Sequence, residues 1–287
     1  MKIKITADCT CDLTQDMVKN LNVGIKPVNI IMNDKEYLDG VTITLPELFK
    51  MFKETGQLPR TSACNPVEYE EFFNEQLKSD GGYDAIIHFS LSSGISCLNQ
   101  NAKVASQAFD NKVWVIDSQT LSTAIALQIF YAHELIQKGL SVQEIVDKIE
   151  ARKTNAQASF VIDTLKFLYK GGRCSALSMF GANILGIKPS IIVKDGKMGV
   201  GKKFRGKYDK VVLEYVDYVL ETYKNPDRKR VFITYTTLDK PEIIDQIKAK
   251  LQGKFDEILV TTAGCTIGSH CGPNTLGVLF YTDGNQE

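Results

Sequence analysis

Three separated segments carry the side chains that could do chemistry: Thr61-Ser62, the run Ser92-Ser93-Gly94-Ile95-Ser96, and Ser269-His270-Cys271-Gly272-Pro273. Each supplies small hydroxyl or glycine residues, and the last adds a histidine. The middle run lies between a buried-strand pattern, Tyr83 to Ser90, and a helical one, Cys97 to Phe109. A strand, a serine-glycine turn and a helix leave a row of unpaired backbone N–H groups at the helix start, which suits an anion or a carboxylate. A serine there is also an ordinary N-cap, so the run alone does not decide. Read as a catalytic set, Ser93 is the nucleophile, His270 the base and Asp117 the orienting acid of a serine hydrolase or esterase. Against that, Leu91-Ser92-Ser93-Gly94-Ile95 is not a glycine-x-serine-x-glycine elbow.

The remaining polar candidates divide between function and architecture. His270 reads as part of a glycine-rich loop between two strands, and loops held by rigid strands concentrate function. His88 falls in a strand pattern and His133 in a helical one, so packing explains both. Asp8 could order the cleft by accepting backbone N–H bonds, whereas Asp12 or Thr14 reads as a turn and helix cap. Asn65-Pro66 is an N-cap followed by the first helical position, which leaves Thr61 and Ser62 as free hydroxyl donors. Gly171-Gly172-Arg173 reads as a helix C-cap turn. Lys202 to Lys207, with Arg205 inside it, reads as a solvated charge run.

The elements that must position these residues alternate from the start. Strand patterns cover Lys2 to Ala7, Val28 to Met32, 84–90 and 113–117. Helical patterns cover Leu13 to Leu21, a capped segment from Thr44-Leu45-Pro46-Glu47 to about Glu54, a segment opened by Pro66, 97–109, and Ser122 to Lys138. Ser141-x-x-Glu144 caps the next helix. This alternation predicts an α/β fold with a doubly wound, mostly parallel N-terminal sheet, whose ligand sites lie beyond the strand carboxyl ends.

The pattern changes after about residue 156. Strands are expected at Phe160 to Ile162, Val231 to Thr236, Ile258 to Thr262 and Leu276 to Tyr281. Helices are expected at Leu165 to Tyr169, Met179 to Leu185, Tyr208 to Tyr223 and Pro241 to Leu251. Asp195-Gly196 between Ile191 to Val193 and Met198 to Phe204 signals a hairpin with a type I′ turn. A mixed sheet with helices follows, and the expected domains are 1–155 and 156–287.

Bulk composition excludes several classes. Lys plus Arg equals Asp plus Glu at 34 each, which argues against a general nucleic-acid surface and leaves only a local basic patch around Lys194 to Lys210. Seven scattered cysteines contain no C-x-x-C pair, so no zinc site or other metal is expected, and buried thiols in a reducing cytosol fit better. No signal peptide or membrane-length apolar run appears, which points to a cytoplasmic protein with no transmembrane segment. There is no G-x-x-x-x-G-K phosphate loop, no magnesium-type acidic cluster and no cofactor motif, so the chain reads as non-catalytic.

Eight segments, TADCTCDL (6–13), TSACNP (61–66), HFSLSSGIS (88–96), VIDS (115–118), FVIDTLKFLYKGGR (160–173), GIKPSIIVKDGKM (186–198), FRGK (204–207) and HCGPNTLGVLF (270–280), span nearly the whole chain. In that order the sequence resembles the DegV family, fatty-acid-binding proteins that include the binding subunit of bacterial fatty acid kinase. The resemblance implies two domains with a long-chain fatty acid of roughly C14–C20 between them, and an ATP-dependent kinase as partner. It assigns Thr61 or Ser62, Ser93 with Gly94 and nearby N–H groups, and His270 to the carboxylate, and Arg173 and Arg205 to partner contact or cleft structure. The sequence departs from the family at Cys9 and Cys11 (usually serines), Cys64 (proline), Cys97-Leu98 (glycine-threonine) and Asn274 (glycine), departures that bear on the geometry near Ser96 and on pocket shape.

Overall fold

A computed structural model describes residues 1–174 and 186–284. The first half runs β1 (Ile3–Asp8), α1 (Gln15–Asn20), β2 (Val23–Lys26), β3 (Asn29–Met32), β4 (Lys35–Leu38), α2 (Leu45–Thr55), β5 (Arg60–Ser62), α3 (Pro66–Lys78), β6 (Ala85–Ser90), α4 (Leu98–Ser106), β7 (Val113–Asp117), α5 (Thr123–Gln137) and α6 (Val142–Arg152). The second half runs β8 (Ala156–Ile162), α7 (Lys166–Gly171), β9 (Ile187–Lys194), β10 (Lys197–Arg205), α8 (Tyr208–Thr222), β11 (Arg230–Tyr235), α9 (Ile243–Leu251), β12 (Glu257–Thr262), α10 (Cys265–Cys271) and β13 (Thr275–Tyr281). The Met179 to Leu185 helix expected from sequence lies outside the described residues.

Among the described residues three sheets form. The first is parallel throughout, in the order β2-β1-β6-β7. Every position of β6 is buried, as a central parallel strand demands. The second is mixed and six-stranded, in the order β10-β9-β8-β13-β11-β12. Its β9–β10 hairpin turns on Asp195 (φ 50°) and Gly196 (φ 73°), the positive pair of the anticipated type I′ turn. Helix α5 is apolar almost all round and packs on strands of both sheets, so it is buried between them.

The third sheet, β4-β3-β5, is antiparallel and was not anticipated. Val28 to Met32 read as the second strand of the parallel sheet. That role falls to β2, which holds a glycine in only four residues and so gives a weak pattern. Asn29–Met32 instead pairs with two further short strands of three and four residues. Helix capping follows the sequence closely: Thr44, Asn65 and Ser141 each close a capping box.

Candidate functional site

Beyond the carboxyl ends of β6 and β7 lies a cavity of about 710 Å³, within the usual range for small-molecule sites. Val28, Leu91, Ile95, Leu98, Leu121, Met198 and Ile267 supply its apolar surface, and Thr61, Ser62, Ser93 and His270 its polar one. Gly94, Cys97 and Arg173 also line it, so all the expected carboxylate residues share one cavity. Arg205 does not; it is exposed at the end of β10.

One wall is the loop after β6. Asp8, fully buried, accepts hydrogen bonds from the Tyr69 hydroxyl at 2.6 Å and the Leu91 N–H at 3.0 Å, which fixes where the loop leaves the sheet. The Ser92 hydroxyl donates to the Gly196 carbonyl at 2.7 Å, bracing the loop on the β9–β10 turn. Gly94 is required by that contact, because a Cβ there would sit 2.5 Å from the Gly196 oxygen.

The row of free N–H groups inferred from the strand-turn-helix pattern is absent. Ser93 donates both its N–H (3.1 Å) and its hydroxyl (2.5 Å) to Asp117. The Gly94 N–H goes to the Ser92 hydroxyl, and those of Ile95 and Ser96 go to the Ser92 carbonyl. Asp117, the last residue of β7, and the preceding Ser92 satisfy what the helix start leaves open.

The opposite wall is α10. His270 sits on this helix, not in a loop as its glycine-rich context suggested. Gly264 starts the helix and Gly268 lies inside it, and two glycines of poor helix propensity in so short a stretch masked it. Gly268 is needed for packing, since a Cβ there would lie 2.2 Å from Leu45 Cδ1. The His270 Nε2 meets the Thr61 hydroxyl at 3.0 Å. Its Nδ1 is buried and has no hydrogen-bond partner among the described residues. A Cβ on Gly171 would lie 2.5 Å from that Nδ1, so α7 ends against the imidazole on a residue without a side chain.

Burial, and secondarily the Arg173 charge, push His270 down from its ordinary 6.5 to about 4, so the ring is neutral near pH 7. Arg173 is exposed and donates to the Gly171 carbonyl at 2.7 Å. The serine-histidine-acid relay is not assembled: Asp117 bonds Ser93 directly, and His270 bonds Thr61. The other two histidines are structural, His88 bonding Thr6 at 2.9 Å in the core and His133 bonding Gln137 on α5.

Asp12 does not cap α1, a task that falls to Thr14. It accepts from the Ser122 hydroxyl at 2.5 Å and the Gly264 N–H at 2.8 Å, and burial raises it to about 7. Asn274 stands at φ 51°, a left-handed position that asparagine tolerates. Cys64 is buried and bonds the Pro27 carbonyl, while Cys97 is exposed at the cavity. Among the described residues no group of three or more histidine, cysteine, aspartate or glutamate side chains could hold a metal ion, and no helix is long and apolar enough to cross a membrane.

Residues 2–283 match the DegV family, described as uncharacterised. The chain belongs to the DegV family. A DegV domain-containing protein of Caldanaerobacter subterraneus is 32% identical over 282 residues, 97% of this chain and 98% of its own. Among solved structures, a Thermus thermophilus DegV family protein described by its fatty acid binding superposes with a TM-score of 0.87 at 27% identity, covering 98% of this chain and 99% of its own. A stearic-acid-binding protein from Eubacterium ventriosum does so with a TM-score of 0.82 at 25% identity, covering 98% of each. The DegV neighbours share the mixed α/β fold expected from the sequence, with a parallel sheet and a mixed sheet.

Proposed function

We propose that this DegV chain is a non-catalytic carrier that binds a long-chain fatty acid of roughly C14–C20 between residues 1–155 and 156–287. Thr61 or Ser62, Ser93 and His270 take the carboxylate, and the apolar wall takes the tail. The observation that carries the reading is the convergence of Thr61, Ser62, Ser93 and His270 on one cavity that Val28, Leu91, Leu121, Met198 and Ile267 line with apolar surface. An anion beside the imidazole restores the proton that burial strips off, which gives the carboxylate a charged donor. Burying about 14 methylenes at about 0.8 kcal/mol each gives roughly 11 kcal/mol before the costs of association, so the tail sets affinity and the head group sets orientation. The fatty acids named for the Thermus and Eubacterium relatives support the ligand class.

The carrier works in the cytoplasm and hands its ligand to a separate ATP-dependent kinase, which forms the acyl-phosphate. Arg173 at the cavity and the exposed Arg205, within the basic segment Lys202 to Lys207, offer the docking face. The esterase alternative is weaker, because Ser93 is engaged by Asp117 rather than by a base. Native mass spectrometry of protein purified from cells, before and after organic extraction, tests the binding claim. A mass loss matching a C14–C20 acid is expected. No lipid, together with no thermal shift from any such acid, would refute it. The stripped protein with stearate and ATP should form acyl-phosphate only when the co-encoded kinase is added. Product from this chain alone overturns the carrier reading.

A further inference from the structure

The helix that carries His270 is held at both ends by the small antiparallel sheet. We propose that Asp39 is a positioning residue of the ligand site: by clamping the N-terminus of α10 it sets where His270 meets Thr61. The inference rests on the fatty-acid-binding reading above.

Asp39 follows β4 directly and is 4% exposed. Its Oδ1 accepts from the Cys265 N–H at 2.7 Å, and its Oδ2 accepts from the Thr266 N–H at 2.7 Å and the Cys9 thiol at 3.3 Å. The first N–H groups of a helix have no partner within it, and leaving them bare in a buried place is costly. One carboxylate therefore satisfies two such groups in a helix of only seven residues. At the other end of α10, His270 bonds Thr61.

Both fixing residues are tied to β3 and the residue before it. Thr61 on β5 and Tyr37 on β4 stand opposite Ile30 from its two sides. The Asp39 N–H itself bonds the Val28 carbonyl at 3.0 Å, just before β3. The spacing between clamp and hydroxyl is thus set by paired strands and not by a free loop. Helix α2 closes a third side, through Leu45 against Gly268, and the Cys265 thiol donates to the Ile43 carbonyl. Asp12 adds one bond at Gly264. An amide at position 39 keeps the shape but turns an N–H₂ toward a backbone N–H, so one of the two anchoring bonds is lost.

The test uses the full-length Asp39→Asn and Asp39→Ala variants, with Ile247→Val as a control that removes a buried methyl from a core cluster beside α8 that contains no residue of α10. Two quantities are read: the imidazole titration of His270 by ¹⁵N NMR without ligand, and the Kd for stearate. Asp39→Asn should weaken stearate about ten-fold and move the His270 titration toward that of an ordinary histidine. Asp39→Ala should do more, and Ile247→Val should change neither. The proposal fails if Asp39→Asn leaves both readings at the wild-type values, or if Ile247→Val at an equal loss of Tm reproduces both changes. Should Asp39→Ala not fold, the amide variant carries the test. If wild-type protein does not bind stearate, the fatty-acid reading falls by itself, and the imidazole titration still decides on Asp39.

Discussion

The two walls of the cavity are both made of small polar residues, yet they treat those residues in opposite ways. On the β6 loop most donors are engaged within the protein: Ser93 with Asp117, Ser92 with Gly196, the Gly94, Ile95 and Ser96 N–H groups with Ser92. On α10 the imidazole of His270 has one partner, Thr61, and one buried nitrogen with none. The first wall is rich in donors by residue type and poor in donors that a ligand could claim without displacing another acceptor. The second is poor by count and rich in unmet demand. Under the proposed reading the group with fewer partners inside the protein takes the carboxylate, which ranks the His270 imidazole ahead of Ser93.

That ranking can be broken. His270→Ala should weaken stearate binding by roughly 10- to 100-fold, the value of a hydrogen bond to a charged group, measured by titration calorimetry with the circular dichroism spectrum unchanged. Ser93→Ala should cost only about 1 kcal/mol, roughly five-fold, because its hydroxyl already serves Asp117. If the serine variant proves the weaker binder of the two, the order of the walls is inverted and the account of them is wrong.

The smallest expected effect sharpens the comparison through pH. His270 titrates at about 4 folded against an ordinary 6.5, so between those values the unfolded chain holds a proton that the folded chain lacks. The stabilisation is complete above pH 6.5 and is lost as pH falls toward 4. Thermal melts from pH 7 to pH 4.5 should show a steeper loss of Tm for the wild type than for His270→Gln. Asp12, raised to about 7 by burial, pulls the other way, but equally in both proteins, so it cancels. Parallel losses of Tm would show that the imidazole is not held desolvated.

Much of this was legible in the sequence, and the failures have definite causes. Long periodic elements with explicit caps, such as α2, α3 and α6, were readable because propensity, capping and burial agree there. The strands β2, β4 and β5 were not, since three or four residues carry too little periodicity to tell pairing partners apart. Helix α10 was hidden by its own glycines, of which Gly268 packs directly against Leu45. The residues of the cavity could be named from hydroxyl and histidine motifs. Their hydrogen-bond partners could not, because Asp117 meets Ser93 and Asp39 meets Cys265 only once separate segments are brought together. No residue pattern marks Asp39, which follows a four-residue strand and belongs to no polar motif.

The central claim is that the carboxylate of a fatty acid lies against His270 and Thr61 with its tail among Leu91, Leu121, Met198 and Ile267. A crystal structure of the complex with stearate brominated at its terminal carbon tests this most directly, since the anomalous signal of bromine reports the tail while the difference density reports the head. The account predicts carboxylate oxygens within hydrogen-bond distance of the His270 imidazole and bromine among the apolar residues of the same cavity. Bromine beside His270, or a fatty acid bound anywhere else on the chain, contradicts it.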